Sequence, residues 1–284
     1  MAITGLDSIY AARAAGKYNK GYFQKVSSNG AASVAGHWHE FFTANGIPTA
    51  GAFSGSAGVA TQMTAATQGA FNIGTASVTP DIRHATSLKM QSPTATLVPG
   101  TFYLVDYLLY YPSCVVTGTP TTLNNTATLP RYTTGDGVQC MVAVQTANGA
   151  TQPALTLTYT DQGGTGSNTG GVMTSPAASS AISKLYLNNG SPFMPLAGTD
   201  TGVRKIDSYT LATGTTGTVA FILVKILAEI DLYAINTGNL MNFTTGDDIL
   251  PVIEDNACLG IIGSCGGAMV SSAVFSGTLS NIWG

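Results

Sequence analysis

From residue 81 onward, apolar residues recur at every second position. Between Ala154 and Thr160, Leu155, Leu157 and Tyr159 fall on one side and Thr156, Thr158 and Thr160 on the other, the pattern of a strand buried on one face. Val138, Cys140, Val142 and Val144 share one face of Gly137–Gln145. Gly100–Val116 holds Phe102-Tyr103-Leu104-Val105 and Tyr107-Leu108-Leu109-Tyr110-Tyr111, aromatic and β-branched residues that favour a strand, closed by Pro112. Further strands are expected at Lys184–Leu187, Arg204–Leu211, Thr218–Val224, Ile226–Ala234, Ala257–Ile262 and Ala268–Phe275. Asn148-Gly149 is a hairpin signal, and Asp161–Gly171 is a Gly-, Ser- and Thr-rich loop. Many short strands without a βαβ rhythm predict a mainly β chain, a β-sandwich or jelly roll. No period of repeat length stands out, which argues against a solenoid or propeller.

The first 80 residues read differently. Ile9, Tyr10, Ala14, Tyr18, Tyr22 and Phe23 recur every three to four residues, which predicts a helix capped by Thr4 or Asp7 and broken near Gly16 and Gly21. A second short helix is expected over Val34–Thr43, ending at Asn45-Gly46. Residues 49–80 are dominated by Ala, Gly, Ser and Thr and offer few large apolar anchors, so an extended segment ordered by a neighbouring surface is expected. The chain thus divides into a partly helical, extended N-terminal arm, 1–80, and a β body, 81–284. The arm's aromatic and basic residues are the candidate partner-binding set: Tyr10, Arg13, Lys17, Tyr18, Tyr22, Phe23, Trp38, Phe41 and Phe42.

Composition supports subunit contacts. Charged residues make up 9% of the chain and hydrophobic residues 44%, against about 25% charged in an average soluble domain. A surface so poor in charge suits a protein whose neighbours cover it. Membrane residence is the competing explanation. The strongest apolar run, Thr218–Ile235, contains Lys225, Glu229 and Asp231, which are costly at membrane depth, and reads as buried strand. The N-terminus lacks the apolar core of a signal peptide, so no export route is indicated. The net charge of −3 argues against a general nucleic-acid binder. The charges are polarised: residues 1–39 carry Arg13, Lys17, Lys20 and Lys25 against Asp7, whereas 226–284 carry Glu229, Asp231, Asp247, Asp248, Glu254 and Asp255 with no Lys or Arg. That suits a basic segment meeting an acidic neighbour.

Candidate chemistry is sparse. His37-Trp38-His39-Glu40 is the densest cluster, but the third histidine, His84, is remote in sequence, and the segment reads as an apolar anchor and not as a metal site. Asp136-Gly137, Asp161-Gln162-Gly163-Gly164 and Gly246-Asp247-Asp248 are oxygen-rich turns without EF-hand spacing. No nucleophile elbow, triad context, P-loop or dinucleotide fingerprint is present. Carboxylates brought together by folding are the remaining route to catalysis. Cys114, Cys140, Cys258 and Cys265 lie among apolar residues and read as buried thiols, with a Cys258–Cys265 bridge as the alternative. No catalytic residue, metal or cofactor is assigned.

The segment Pro192-Phe193-Met194-Pro195-Leu196-Ala197-Gly198-Thr199-Asp200-Thr201-Gly202-Val203-Arg204 resembles a pattern of tailed-bacteriophage virion structural proteins. So do the strand Val219–Ile230, then Leu250-Pro251, Asp255–Leu259, and Gly277-Thr278-Leu279 before Ile282-Trp283-Gly284. The resemblance spans residues 100–284. It implies a non-enzymatic virion component: a capsid cement, decoration or minor capsid protein bound to the major capsid protein and to symmetry-related copies of itself in a homo-oligomer, expected to be a trimer. The alternatives are the major capsid protein itself, or a tail, baseplate or spike component that binds host glycans, with glycan cleavage as its less favoured activity.

Overall fold

In a computed structural model, the described residues are 3–26, 35–116, 121–149, 154–175, 182–212, 214, 216–244, 250–267 and 273–284. The chain is mainly β, and its strands form three sheets. The central sheet runs β2 (Trp38–Glu40), β16 (Leu259–Cys265), β6 (Gly100–Val115), β13 (Thr218–Leu232), β8 (Val138–Thr146), and β4 (Thr61–Gln62) also pairs with β6. A second sheet, here the terminal sheet, runs β14 (Asn239–Asn242), β5 (Arg83–Gln91), β17 (Val274–Trp283), β1 (Tyr18–Val26), β3 (Asn45–Ile47), with β15 (Val252–Ile253) also on β5. The lateral sheet runs β10 (Asn168–Thr169), β9 (Ala154–Asp161), β12 (Val203–Leu211), β7 (Thr121–Thr122), with β11 (Met173–Thr174) also on β9. One helix, α1 (Leu6–Ala14), precedes β1.

The long strands β6 and β13 organise the molecule. They pair antiparallel along their length and are apolar on both faces, as a strand covered on both sides must be. On one face, Phe102, Leu104, Ala228, Ile230 and Leu232 pack against Phe23, Leu88, Phe275 and Leu279 of the terminal sheet. Farther along, Leu109, Tyr111, Phe221 and Leu223 pack against Leu155, Leu157, Tyr159, Ile206 and Tyr209 of the lateral sheet. The opposite face carries Val105, Tyr107, Ile222 and Val224 beneath Phe42, Phe53 and Met63. The registers Leu223↔Leu109 and Val224↔Tyr107 leave Leu108 over, while Ile226↔Val105 and Ala228↔Leu104 leave Leu227 over. Each bulge reverses the parity of its strand, so the same face stays apolar past it. Two cores are therefore stacked along one side of a single sheet.

The expected helix survives as α1, which ends at Ala14, with Gly16 beyond it at a φ of 72°. Residues 18–26 correct it: they form β1, paired with β17 from Tyr18↔Ile282 to Val26↔Val274 and with β3 on its other side. A spacing of four residues, Tyr18 to Tyr22, places side chains on one face of either a helix or a strand, so that spacing did not discriminate. Gly21 is a close approach and not a helix breaker, since a Cβ there would collide with the carbonyl of Asn72. Gly21→Ala is expected to cost about 1–3 kcal/mol, read from the chemical-denaturation midpoint.

The second expected helix is corrected too: Trp38–Glu40 is strand β2 on β16, and Val34 lies outside the described residues. Residues 49–80 do not extend away from the body. Phe53, Met63, Phe71 and Ile73 are buried in it, and Gly51, Met63 and Phe71 donate backbone hydrogen bonds to Phe42, Leu108 and Leu259. Few anchors suffice because the backbone groups are satisfied by strand partners. The division at residue 80 therefore does not describe the packing, since β1 and β3 lie in one sheet with β5 and β17.

Thr218–Val224 and Ile226–Ala234 merge into the single bulged strand β13. Lys184–Leu187 forms isolated bridges only, and Ala268–Ser272 lies outside the described residues. Asn148-Gly149 does not close a hairpin, because β8 and β9 belong to different sheets.

Candidate docking surface

The outer face of the terminal sheet follows from the alternation along β1. Asn19, Gly21, Phe23 and Lys25 point inward, and Tyr18, Lys20, Tyr22 and Gln24 outward. Across the ladder, Lys20 lies beside Ser280 and Ser87, and Tyr22 beside Thr278 and Lys89. Leu240 and Asn242 of β14 extend these rows opposite Lys89 and Ser87. This face is rich in hydroxyl and aromatic groups.

Helix α1 lies along one border of it. The Ser8 hydroxyl accepts from the backbone N–H groups of Thr4 and Gly5 and closes the first turn. At the other end Arg13 stands over the Tyr18 ring, 5.7 Å from its centroid, a cation–π arrangement. Between helix and sheet runs a groove of about 320 Å³, with Leu6, Tyr10, Arg13, Tyr18, Lys20 and Leu240 among its walls. A smaller hollow of about 90 Å³ continues along the same face between Tyr22, Lys89 and Thr278.

The nine sequence-derived candidates separate into two groups. Tyr10, Arg13 and Tyr18 line the groove and Tyr22 the hollow; the three tyrosines are 68%, 51% and 49% exposed. Lys17 borders the face but is tied to Asp81 at 2.5 Å. The other four are covered by this same chain. Phe23 stacks on Phe71, and Phe41 meets Phe275 edge-on. Phe42 stacks on Phe53, and Trp38 stacks on Tyr103 while its Nε1 donates to the Gly190 carbonyl. These four side chains are core: Phe23 and Phe41 are buried between the terminal and central sheets, and Trp38 and Phe42 against the opposite face of the central sheet. Sequence reasoning missed Lys20, Lys89 and Leu240. The alternation Tyr18, Lys20, Tyr22, Gln24 was the available signal for Lys20. Lys89 and Leu240 reach the face through strand pairing alone.

The chemically richest interior groups are structural in geometry. Arg131 donates from Nε and Nη2 to the two carboxylate oxygens of Asp106 at 2.8 and 2.7 Å, and also to the carbonyls of Met63 and Tyr107. The Cys258 N–H donates to Asp106 as well, at 2.8 Å. Glu40 is buried and accepts from the Thr43 N–H and hydroxyl; burial pushes its carboxyl up, and those hydrogen bonds pull against it. Lys25 donates to the carbonyls of Ala44 and Pro48, and burial lowers it to about 8 despite Glu40.

His39 and Glu40, adjacent on β2, point to opposite faces, so the four-residue cluster His37–Glu40 does not converge. Among the described residues no group of three or more His, Cys, Asp or Glu side chains is placed to hold a metal ion. Asp136 and Asp161 are engaged by Thr201, Thr165 and Asn168, as turn-forming carboxylates are; Asp247 and Asp248 lie outside the described residues. All four cysteines are free and buried, and burial raises the Cys114 thiol to about 12. Among the described residues no helix is long and apolar enough to cross a membrane.

No family model matches this sequence, and no curated protein matches it. Among solved structures, that of infectious bursal disease virus Gt strain matches at 8% identity and a TM-score of 0.21, over 94% of this chain and 80% of that one. The VP2 subviral particle of the same virus matches at 10% identity and a TM-score of 0.17, over 94% and 80%. Likenesses this slight carry no argument about fold or function.

Proposed function

We propose that this chain is a structural subunit of a bacteriophage particle, a cement or decoration protein that binds the shell of the major capsid protein and packs beside copies of itself. The supporting observation is the outer face of the terminal sheet. Together with helix α1 along its border, it presents three exposed tyrosines and three cations, in a chain with only 9% charged residues. Aromatic residues and arginine are enriched where proteins meet. The resemblance of residues 100–284 to phage virion proteins supplies the setting.

The test uses expanded shells of the major capsid protein prepared without this chain. The purified chain is expected to co-sediment with them saturably, in a fixed ratio to shell subunits. Tyr10→Ala, Tyr18→Ala and Tyr22→Ala combined are expected to weaken occupancy by about tenfold or more, because copies that lose central aromatic contacts with their neighbours coat the shell less tightly. Absence of co-sedimentation by the unaltered chain overturns the reading. Deleting residues 1–45 would be a poor test, since it removes β1 from between β17 and β3. Closure of this chain alone into shells would instead identify it as the major capsid protein.

A further inference from the structure

The outer face of the terminal sheet carries Lys20 and Lys89, helix α1 adds Arg13 at its border, and none of the three is in an ion pair among the described residues. Asp7, on the exposed first turn of α1, is not among the side chains that line the groove. The face is therefore basic and aromatic.

The other side of the molecule has the opposite character. Beyond the bulge at Leu227, Glu229 and Asp231 of β13 pair with Tyr103 and Thr101 of β6. They lie on the face of the central sheet that carries Tyr103 and Trp38, which is the face turned away from the terminal sheet. Glu229 is exposed and has no ion-pair partner among the described residues. Asp231 is held in place by the Thr101 hydroxyl at 2.6 Å and the Tyr233 hydroxyl at 3.1 Å. Tyr233, 73% exposed, stands beside the two carboxylates. One side of the subunit is thus cationic with tyrosines, and the opposite side anionic with a tyrosine.

We infer that the occupant of the basic face is a second copy of this chain, which presents its Glu229–Asp231–Tyr233 patch to the groove between α1 and the terminal sheet. The inference rests on the reading of the chain as an assembly subunit and names the partner at that surface. Charge complementarity selects this pairing: two basic faces set against each other would repel, and so would two acidic patches. A contact between two different patches on opposite sides is heterologous, so it builds rings or open chains and not a two-fold dimer. The carboxylates reach Lys20, Lys89 and Arg13, and Tyr233 meets the apolar wall of Leu6, Tyr10 and Leu240.

The experiment measures the solution mass of the full chain by sedimentation over a concentration series, without shells, at low and high salt. The unaltered chain is expected to grow in mass with concentration, and high salt to reverse it. Lys20→Glu with Lys89→Glu, and separately Glu229→Lys with Asp231→Lys, are each expected to weaken association at least tenfold. Mixing the two variants is expected to restore it, since each reversed face then meets a reversed partner. Because Asp231 also bonds Thr101, Glu229→Lys alone and Tyr233→Ala serve as milder variants that leave that bond in place. A chain that stays monomeric, or association unchanged by Glu229→Lys with Asp231→Lys, overturns the inference. A monomeric chain that still coats shells sinks this inference alone; a chain that self-associates but never coats shells sinks the cement reading alone.

Discussion

Arg131→Ala is expected to destabilise the fold by about 3–5 kcal/mol, the cost of leaving one member of a buried ion pair without the other. Asp106 is fully buried and Arg131 nearly so, and the guanidinium forks onto both carboxylate oxygens. Burial already pushes the Asp106 carboxyl up against the pull of Arg131. Without the arginine, one remaining N–H, that of Cys258, faces a carboxylate inside the central sheet. The carbonyls of Met63 and Tyr107 lose the guanidinium donor too, which removes one tie between the segment around Met63 and the sheet it covers. Urea denaturation followed by tryptophan fluorescence reads the loss. The paired replacement Asp106→Leu with Arg131→Met is expected to recover most of it, because removing both charges removes the unpaired one. Equal loss in the single and double variants would show that packing volume, and not the ion pair, matters at this position.

Acid is expected to weaken the fold between about pH 6.5 and pH 3, through His39. Burial, then the nearby Lys184 and His37, lower its pKa to about 3 from an ordinary 6.5. In the unfolded chain His39 takes up a proton as pH falls through 6.5, whereas the folded chain resists until about 3. The unfolded state is favoured throughout that window, so the stability present above pH 6.5 is lost on acidification. The full effect is at most about 5 kcal/mol, from about 1.4 kcal/mol for each pH unit between the two values. Glu40 acts in the opposite sense, because its raised carboxyl favours protonation in the folded state. The comparison is therefore between the unaltered chain and His39→Gln. Stability against pH is expected to be flatter in the variant, and parallel curves would remove His39 as the cause.

The strands that the sequence announced are those whose alternation involves large apolar side chains. Leu155, Leu157 and Tyr159 could hardly lie otherwise, and β9 forms where expected. The same holds for β6, β8, β12 and β13, and hence for the mainly β class. The strands that went unannounced carry their inward positions on small or polar residues. β17 turns Gly277 and Asn281 inward beside Phe275 and Leu279, and β5 turns Arg83 and Ala85 inward beside Leu88 and Met90. Composition does not distinguish such segments from loops, and only their neighbours make them strands.

The docking surface divides along the same line. The sequence by itself established a charge-poor chain with a basic, tyrosine-bearing start and an acidic end, because charge and residue type do not depend on folding. It did not establish which aromatics are free. Tyr22 and Phe23 are adjacent and look equivalent as anchors, yet a strand turns one out and the other in, leaving Tyr22 49% and Phe23 1% exposed. Nor could it bring Lys89 and Leu240 beside Lys20, or set Glu229 and Asp231 on the far side, since pairing between strands far apart in sequence decides both. What the tertiary structure added is a sidedness: one face basic and the opposite face acidic, fixed by sheet order and by the bulges in β6 and β13 that hold both long strands in register.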